Sequence, residues 1–340
     1  MEVYAFWNNK GGTGKTSLAF QAITKYAEKN YAEKILVIDL CPQANLTELF
    51  LGGLIGKGSQ NLLTLFSGER RKSVGGYFQD RLPSPFTMPQ IDIMMYLVRP
   101  SDYNIAVEKN ILLLAGDPVV ELQTNAIATL ANTQLPGTDT WIAVINWIYD
   151  FIHCSQEKFD KVFIDCNPSF SIYTQIALAS ATHLILPVMA DDSSRRALQN
   201  VFSLVYGVEM PSEIYRQYSF ATKLKQMGRP LPKVHTIAKN RLTQYMRGAS
   251  SAYRSVLMSI DEDVQKVMAE NRNIFDFNII NSGIVEIRDF QTTGVVAFAE
   301  GKPFSKVKTG NHYILGRRTP INRENLTKCD EAIDLLVSRL

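Results

Sequence analysis

The sequence predicts an α/β fold in which a doubly wound, mostly parallel β-sheet carries helices on both faces. Two observations lead to this prediction. Short apolar runs, typical of strands buried on both sides, alternate with amphipathic helical segments, and a glycine-rich loop joins the first run to the first helix. The 340 residues are 46% hydrophobic and 20% charged, which is typical of a globular protein, and no apolar run is long enough to cross a membrane.

The predicted elements follow one another in a regular order along the chain. The apolar runs predicted as strands are 3–7, 35–38, 111–115, 162–164, 184–188 and 235–238. The segments whose apolar residues have helical spacing are 15–29, 140–151, 172–181, 195–206, 253–268 and 322–340. Sheets of this kind bind ligands at the carboxyl ends of their strands, so the functional residues are expected in the loops that follow the strands.

The strongest functional signal is the segment KGGTGKT at residues 10–16, between the first predicted strand and the first predicted helix. Glycines let successive backbone N–H groups converge on phosphate oxygens, and the following helix adds the partial positive charge of its N-terminus. Lys15 is expected to reach the β- and γ-phosphates, and the Thr16 hydroxyl to ligate Mg²⁺. The predicted nucleotide contacts of this loop are Lys10, Gly11, Gly12, Thr13, Gly14, Lys15, Thr16 and Ser17.

The loop departs from the ordinary phosphate-loop pattern at its entrance. That pattern has a glycine five residues before Gly14, where this chain has Asn9, and a second lysine, Lys10, follows. A nucleotide in its own loop is already neutralised by Lys15 and Mg²⁺. Lys10 is therefore suited to cross a two-fold interface and contact the phosphates of a partner, as an arginine finger does. The alternative is that Lys10 is a plain surface charge.

These residues resemble the deviant-Walker ATPases of the ParA/MinD family. The segment DLCPQANLT at 39–47 is similar to the family's second motif, and KVFIDCNPS at 161–169 is similar to its Walker B strand and switch. The segments 287–289 and 298–303 resemble the late segment near the adenine. The resemblance implies a P-loop NTPase fold, ATP and Mg²⁺ as cofactors, and a dimer that encloses two nucleotides. Within the family the chain is more similar to ParA than to MinD.

The resemblance leaves two stretches uncovered, near 51–100 and 209–254. We expect them to be insertions in a single ParA-like nucleotide-binding domain that spans residues 1–340. Asp39 and Asp165 end two apolar strands, and with Thr16 they are expected to hold Mg²⁺ or its waters; a helix cap or a solvated loop is the alternative. The residues that the resemblance places near the adenine are Asn240, Arg288 and Asp289.

Cys41 is the position at which the chain departs from the second family motif. It replaces an acidic residue that resembles a water-positioning catalytic group. A thiol is mostly protonated at neutral pH and does not orient water as a carboxylate does. ATP binding and dimerisation are thus expected to persist, whereas hydrolysis is expected to be slow or assisted by another residue or a partner. The residues assigned to catalysis are Lys10, Lys15, Asp39 and Cys41.

The net charge of +3 conceals an uneven distribution, with +7 between residues 205 and 256 and +6 between residues 302 and 328. Such asymmetry indicates a polyanionic partner, although two solvated basic faces are an equal alternative. ParA-like proteins bind DNA without sequence preference when ATP is bound, so the resemblance makes DNA the expected partner. The basic residues expected to contact DNA are Arg216, Lys223, Lys225, Arg229, Arg247, Arg317 and Arg318.

Three functions are compatible with the resemblance. The favoured one is an ATPase that dimerises on ATP, binds DNA non-specifically and positions or segregates plasmid, chromosome or other cargo with a ParB-like adaptor. A membrane-cycling ATPase like MinD would need a basic amphipathic terminus, but Glu331 and Asp334 make the last segment acidic, so no stable membrane association is expected. A metallocentre carrier would need clustered cysteines. The four cysteines are widely spaced, which fits a reducing cytoplasm and, for a DNA-binding protein, the nucleoid.

Overall fold

The computed structural model describes residues 1–88, 92–154, 158–242 and 251–340, of which 251–253 are described by their backbone alone. The strands are β1 (Glu2–Phe6), β2 (Ile35–Leu40), β3 (Leu97–Val98), β4 (Ile111–Leu114), β5 (Lys161–Cys166), β6 (His183–Val188), β7 (Lys233–Leu242), β8 (Ile284–Arg288), β9 (Gly310–Ile314) and β10 (Arg317–Ile321). The helices are α1 (Lys15–Lys29), α2 (Asn45–Phe50), α3 (Gly58–Phe66), α4 (Val74–Arg81), α5 (Val119–Asn132), α6 (Thr140–Ile145), α7 (Trp147–His153), α8 (Ile172–Ser180), α9 (Asp192–Tyr206), α10 (Glu213–Gln217), α11 (Phe220–Gln226), α12 (Ser251–Glu270), α13 (Ile280–Gly283), α14 (Gln291–Ala299) and α15 (Arg323–Val337). Short 3₁₀ helices cover Ile93–Tyr96, Pro100–Asp102, Arg272–Ile274 and Phe304–Lys306.

Eight strands form one sheet in the order β3-β4-β2-β5-β1-β6-β7-β8. All neighbours are parallel except β3, which runs antiparallel to β4. The predicted α/β fold with a mostly parallel sheet is therefore confirmed. The chain proceeds from β1 toward one side of the sheet through β2 and toward the other through β6, so the strand order reverses at β1. Ligands bind at such a reversal, outside the carboxyl ends of the strands.

Apolar residues cover both faces of the sheet, as the continuous apolar runs predict. Along β1 and the residue after it, Ala5 and Trp7 pack into the core on one face, whereas Tyr4 and Phe6 pack into the core on the other. Every residue of β2 is buried. Burial on both faces is typical of a parallel strand between helical layers, and it holds the loop after β1 at a fixed place on the edge of the sheet.

Several elements differ from the sequence-based prediction. The helix predicted over 140–151 is divided at Asn146 into α6 and α7. Helix α5 was not predicted because Gln123 interrupts its buried apolar stripe. The hairpin of β9 and β10 was not predicted either, because its strands are short and mostly exposed. Its turn has positive φ at both Leu315 (50°) and Gly316 (78°), as two-residue hairpin loops require.

The two stretches predicted as insertions contain short helices. Helices α3 and α4 lie in the first. The second contains α10, α11 and strand β7, which belongs to the main sheet. That these stretches are insertions within one domain remains a prediction.

Helix α15 packs against helix α1. Its residues Ile333 and Leu336 are buried in the core, and Asp330 forms a 2.7 Å ion pair with Lys25. The apolar face of the last predicted helix is thus occupied by the protein itself. Within the described ranges, no helix combines the length and the apolar composition needed to cross a bilayer.

Candidate nucleotide site

The glycine-rich loop follows β1 at the edge of the sheet where the strand order reverses. Gly12 and Gly14 have φ of 75° and 84°, a region that residues with a Cβ rarely adopt. A Cβ on Gly14 would also lie 2.3 Å from the Asn240 side-chain nitrogen. Helix α1 begins directly afterwards, with no acidic residue in its first turn and no side-chain cap. The first N–H groups of α1 and its partial positive charge are therefore available to an anion.

Two adjoining cavities lie along this loop. The first, of about 380 Å³, is lined by the loop and by residues at the carboxyl ends of β2, β5 and β7, among them Cys41, Cys166, Asn167 and Arg241. The second, of about 400 Å³, is lined by the carboxyl end of β7, the residues after β8 and helix α14, among them Asn240, Asp289, Phe290 and Phe298. Gly14, Ser17 and Arg241 line both. One nucleotide could therefore place its phosphate chain in the first cavity and its base in the second.

Lys15 reaches into the first cavity from the start of α1. Its side-chain nitrogen donates a hydrogen bond of 3.1 Å to the carbonyl oxygen of Lys10, and only 7% of the residue is exposed. Burial lowers the pKa of Lys15, and the negative charge of Asp165 acts in the opposite direction. A desolvated cation beside converging N–H groups is suited to bind phosphate oxygens.

Lys10 is paired within its own subunit. Its side-chain nitrogen lies 2.7 Å from each carboxylate oxygen of Asp191 and 3.2 Å from the Ser194 hydroxyl. Asp191 caps the N-terminus of α9 by accepting a hydrogen bond from the Ser194 backbone N–H. Partial burial acts to raise the pKa of Asp191, but the hydrogen bond and charge of Lys10 and the hydrogen bonds from Ser194 together lower it. Lys10 is therefore tethered rather than free in solvent.

Asp39 and Asp165 are neighbours in register on β2 and β5. Burial raises the pKa of both carboxyl groups, and the charge of Asp39 raises that of Asp165 further. One Asp165 oxygen accepts a 2.8 Å hydrogen bond from the Thr16 hydroxyl, and the other is buried with no hydrogen-bond partner among the described residues. An unpartnered carboxylate oxygen next to a threonine hydroxyl is the hard-oxygen donor set that suits Mg²⁺.

Both oxygens of Asp39 accept hydrogen bonds from the segment that follows β2, including the start of α2. One accepts a hydrogen bond from the Cys41 backbone N–H at 3.1 Å, and the other accepts from the Thr47 backbone N–H at 2.9 Å and from its hydroxyl at 2.8 Å. The structure thus brings the Thr16 hydroxyl and the Asp165 carboxylate together, whereas both oxygens of Asp39 are already hydrogen-bonded elsewhere. In this arrangement Asp39 holds the segment that carries Cys41.

Cys41 lines the first cavity, as the motif predicts. Burial, together with the charges of Asp39 and Asp165, raises its pKa to about 12. Cys166 lines the same cavity, and burial also raises its pKa well above the usual range of a thiol. Both side chains are thiols at neutral pH, so neither supplies the charge that a carboxylate would supply at this wall of the cavity.

The three residues expected near the adenine are not all in one place. Asn240 lines the second cavity and donates a 2.8 Å hydrogen bond to the Thr13 carbonyl, which ties strand β7 to the phosphate loop. Asp289 lines the same cavity. Arg288 instead donates to Asn325 on α15 at 2.7 Å and lines a separate cavity.

Phe298, the first residue of the segment 298–303 attributed to the adenine, lines the second cavity. Sequence reasoning missed Arg241 and Phe290, which also line these cavities. Phe290 directly follows the segment 287–289. Arg241 has a positive φ of 58°, and only the position after Asn240 hinted at it.

The basic residues predicted to contact DNA have different surroundings. Arg216, Lys225, Arg317 and Arg318 are exposed. The Lys223 nitrogen lies 5.1 Å from the centre of the Trp141 ring, and burial lowers its pKa. The Arg229 guanidinium stacks on Tyr149 and donates to Asn146 and to the Ala179 carbonyl. Arg247 lies outside the described residues.

Comparison with known proteins identifies the family. Residues 1–214, more than half of the chain, match the AAA_31 family, described as an AAA domain. The chain is 29% identical over 211 residues to the cell division protein PomZ of Myxococcus xanthus, a match that covers 60% of this chain and 51% of PomZ. The chain therefore spans about half the length of that relative.

Solved structures support the fold. A Cyanothece McdA variant in complex with ATP superposes with a TM-score of 0.63 at 15% identity, covering 99% of this chain and 96% of the other. The pNOB8 ParA bound to nonspecific DNA superposes with a TM-score of 0.53 at 15% identity, covering 99% and 98%. At such low identity these likenesses establish the arrangement of strands and helices.

Proposed function

This chain belongs to the AAA_31 family of ParA/MinD-like ATPases, and from that premise we propose that it is an ATP-driven, dimerising switch that binds DNA without sequence preference and positions DNA or other cargo. One observation carries the proposal. The phosphate loop, with a second lysine held at its entrance, opens onto two adjoining cavities suited to a triphosphate and a base. Such a site can bind a nucleotide, and the lysine at its entrance can change its contacts when the phosphates are present.

The residues around the first cavity would bind ATP in stages. The N–H groups of the loop and the cation of Lys15 take the phosphate oxygens. Thr16 and Asp165 would hold Mg²⁺, which neutralises the phosphate charge when it is bound. Asn240 and the aromatic side chains of Phe290 and Phe298 offer a polar edge and an apolar wall to the base.

Lys10 would couple ATP to dimerisation. Without a partner it is paired with Asp191, and both side chains keep contact with solvent (23% and 39% exposed). Such a pair contributes little to stability, so a partner's phosphates can replace Asp191 at small cost. The resemblance assigns Lys10 this crossing role. Exchange of Asp191 for phosphate would make the dimer depend on ATP.

DNA is the proposed partner of the ATP-bound dimer, on the nucleoid in the cytoplasm. Four of the predicted basic contacts, Arg216, Lys225, Arg317 and Arg318, are exposed. The structural relative named as ParA bound to nonspecific DNA supports this partner. Dimerisation doubles the number of such cations on one particle, and a ParB-like adaptor is the partner that we expect to trigger release. A MinD-like membrane cycle has less support, because the apolar face of α15 is packed against α1.

The proposed DNA binding predicts a steep salt dependence. Affinity of the ATP-bound protein for random duplex DNA, measured by fluorescence anisotropy, should fall by about 0.9 log units per phosphate contact for each log unit of salt. Replacing Arg317 and Arg318 by glutamine should lower this slope by about 0.9 for each arginine in contact. The matched control replaces Lys57 and Lys109, two exposed lysines outside the predicted set, and should leave the slope unchanged. A flat salt profile in the unmodified protein would remove DNA from the proposal.

Replacing Cys41 by aspartate should raise steady-state ATP turnover about 10- to 100-fold, because a carboxylate at this wall of the cavity can orient water and accept a proton. The new carboxylate joins Asp39 and Asp165, so without nucleotide the variant should melt at a lower temperature. Cys41→Ser has similar size and no charge, and it should show no gain. A brisk basal rate in the unmodified protein, or equal rates for the two variants, would contradict slow hydrolysis through Cys41.

A further inference from the structure

Two histidines and an aspartate meet at the edge of the sheet opposite the nucleotide site. His183 is the first residue of β6, His235 lies near the start of β7, and Asp276 follows the 3₁₀ helix Arg272–Ile274. One ligand atom from each of the three side chains lies within 4.8 Å of the other two. The nucleotide chemistry uses none of these residues, so their convergence needs a separate explanation.

Both ring nitrogens of His235 face hydrogen-bond acceptors. Nδ1 contacts the Asp276 carboxylate at a short distance, and Nε2 lies 2.5 Å from the carbonyl oxygen of Arg339. A neutral imidazole has one N–H donor and one lone pair. With Nε2–H donating to the carbonyl, Nδ1 can face the carboxylate at this distance only if a proton lies between them. A metal ion would take the place of that proton and would move the two ligand atoms apart.

The hydrogen bonds of His183 turn its other nitrogen toward the same point. The Thr182 hydroxyl donates to the Val3 carbonyl at 3.1 Å and lies 2.9 Å from His183 Nδ1. When the single hydroxyl proton is used in the bond to the Val3 carbonyl, His183 Nδ1–H donates to Thr182. The lone pair is then on Nε2, which lies 3.7 Å from the Asp276 carboxylate oxygen. Each histidine therefore has one nitrogen oriented by the protein and the other aimed at Asp276, as in metal-binding histidines.

The backbone holds the three residues in place. The pairing of β6 with β7 shifts between Leu184 and Ile185, which leaves His235 as the extra residue of a β-bulge. The Asp276 N–H donates to the Val234 carbonyl at 3.2 Å, next to His235. The Tyr4 ring stacks on His183 at 4.8 Å and meets His235 edge-on at 5.2 Å. The cluster is thus supported from three sides before any ion binds.

We propose that His183 Nε2, His235 Nδ1 and a carboxylate oxygen of Asp276 bind a divalent transition-metal ion of the Zn²⁺ class, with water in the fourth position. Two imidazoles and one carboxylate are a donor set that Zn²⁺ accepts and that Mg²⁺ does not favour. The three side chains are 17–22% exposed, so solvent can reach the ion. Lys161, whose charge acts on His183, is paired with Glu2 at 2.6 Å.

Metal binding at this site would also stabilise the C-terminal end of the fold. The nitrogen of His235 that does not bind the ion holds the carbonyl of Arg339, just beyond α15. An ion on Nδ1 strengthens that hydrogen bond by polarising the ring. The site is independent of ATP, since its residues lie at the opposite edge of the sheet.

The test is a Co²⁺ titration of the untagged, full-length protein after treatment with a chelator, with excess Mg²⁺ and ATP to occupy the nucleotide site. We expect one Co²⁺ per chain, a visible absorption band of tetrahedral type and a rise in melting temperature, followed by displacement with Zn²⁺. His183→Gln, His235→Gln and Asp276→Asn should each weaken binding by about tenfold or more. His153→Gln and His312→Gln alter the other two histidines and should change nothing.

Several results would overturn the proposal. Absence of Co²⁺ binding would show that the cation on His235 is a proton. A near-ultraviolet thiolate band would place the ion on cysteine side chains instead of this cluster. Binding that persists in Asp276→Asn, which keeps the size of the side chain and removes its charge, would exclude this site even if a histidine variant fails to fold.

Discussion

Replacing Lys15 by alanine is expected to weaken ATP binding by about 100-fold or more. Lys15 is a buried cation at the end of the phosphate loop, and its loss removes the positive charge that this side chain would offer to the β- and γ-phosphates. Loss of one partner from a desolvated ionic hydrogen bond costs about 2–5 kcal/mol, and each 1.4 kcal/mol is about a factor of ten in affinity. Isothermal titration calorimetry with ATP and Mg²⁺ measures this change.

The stability of the Lys15 variant separates this effect from misfolding. Burial lowers the pKa of Lys15, so its charge is unfavourable in the nucleotide-free protein. Lys15→Ala should therefore melt at the same temperature as the unmodified protein or higher when no nucleotide is present. Lys29→Ala, on the same helix but 47% exposed, is the matched control and should bind ATP normally. Retention of tight binding by Lys15→Ala would contradict the assignment of the site.

Replacing Lys10 by alanine is expected to abolish the ATP-dependent dimer and reduce turnover by about 1,000-fold, to the limit of detection. A cation supplied across an interface contributes about 10³–10⁵ to phosphoryl-transfer rates. Binding of ATP to the monomer should be nearly unchanged, because Lys10 is paired with Asp191 and Lys15 remains in the loop. Sedimentation velocity with a slowly hydrolysed ATP analogue and single-turnover assays measure the two effects.

Asp191→Asn tests the same contact in the opposite direction. Asparagine still caps α9, so the fold is retained, but Lys10 loses its charged partner. A partly exposed pair contributes at most about 1 kcal/mol, so ATP-dependent dimerisation should strengthen by up to about fivefold for each released lysine. If Lys10→Ala dimerises normally and Asp191→Asn has no effect, then Lys10 is a surface charge and the coupling of ATP to dimerisation has another origin.

Features that depend on neighbours along the chain could be predicted from the sequence. The loop at 10–16 is in the predicted place because Gly12 and Gly14 supply its left-handed turns and α1 starts immediately after it. The placement of Asp39 and Asp165 at one edge of the sheet also follows from the pattern, since the carboxyl ends of parallel strands meet there. That β2 and β5 are neighbours, so that the two residues pair in register, was decided by the strand order. The partners of these groups did not follow from the pattern. Asp39 binds its own loop through Thr47.

The sequence also predicted the distribution of charge only in part. The basic excess after residue 205 does not stay on one surface, because Arg229 stacks on Tyr149 and Lys239 pairs with Asp261 at 2.7 Å. The net charge of a segment reports how many cations it has. It does not report which of them the fold neutralises.

By itself, the sequence determined the class of fold, the phosphate loop and the thiol at position 41, because glycine conformations, apolar periodicity and side-chain chemistry act over a few residues. Only the tertiary structure decided that Lys10 is held by Asp191, a residue 181 positions away, and that His183, His235 and Asp276 share one point. Contacts of this kind depend on strand order, on a bulge and on which loops pack together. These are set by the free energy of the whole core, and no local pattern contains them.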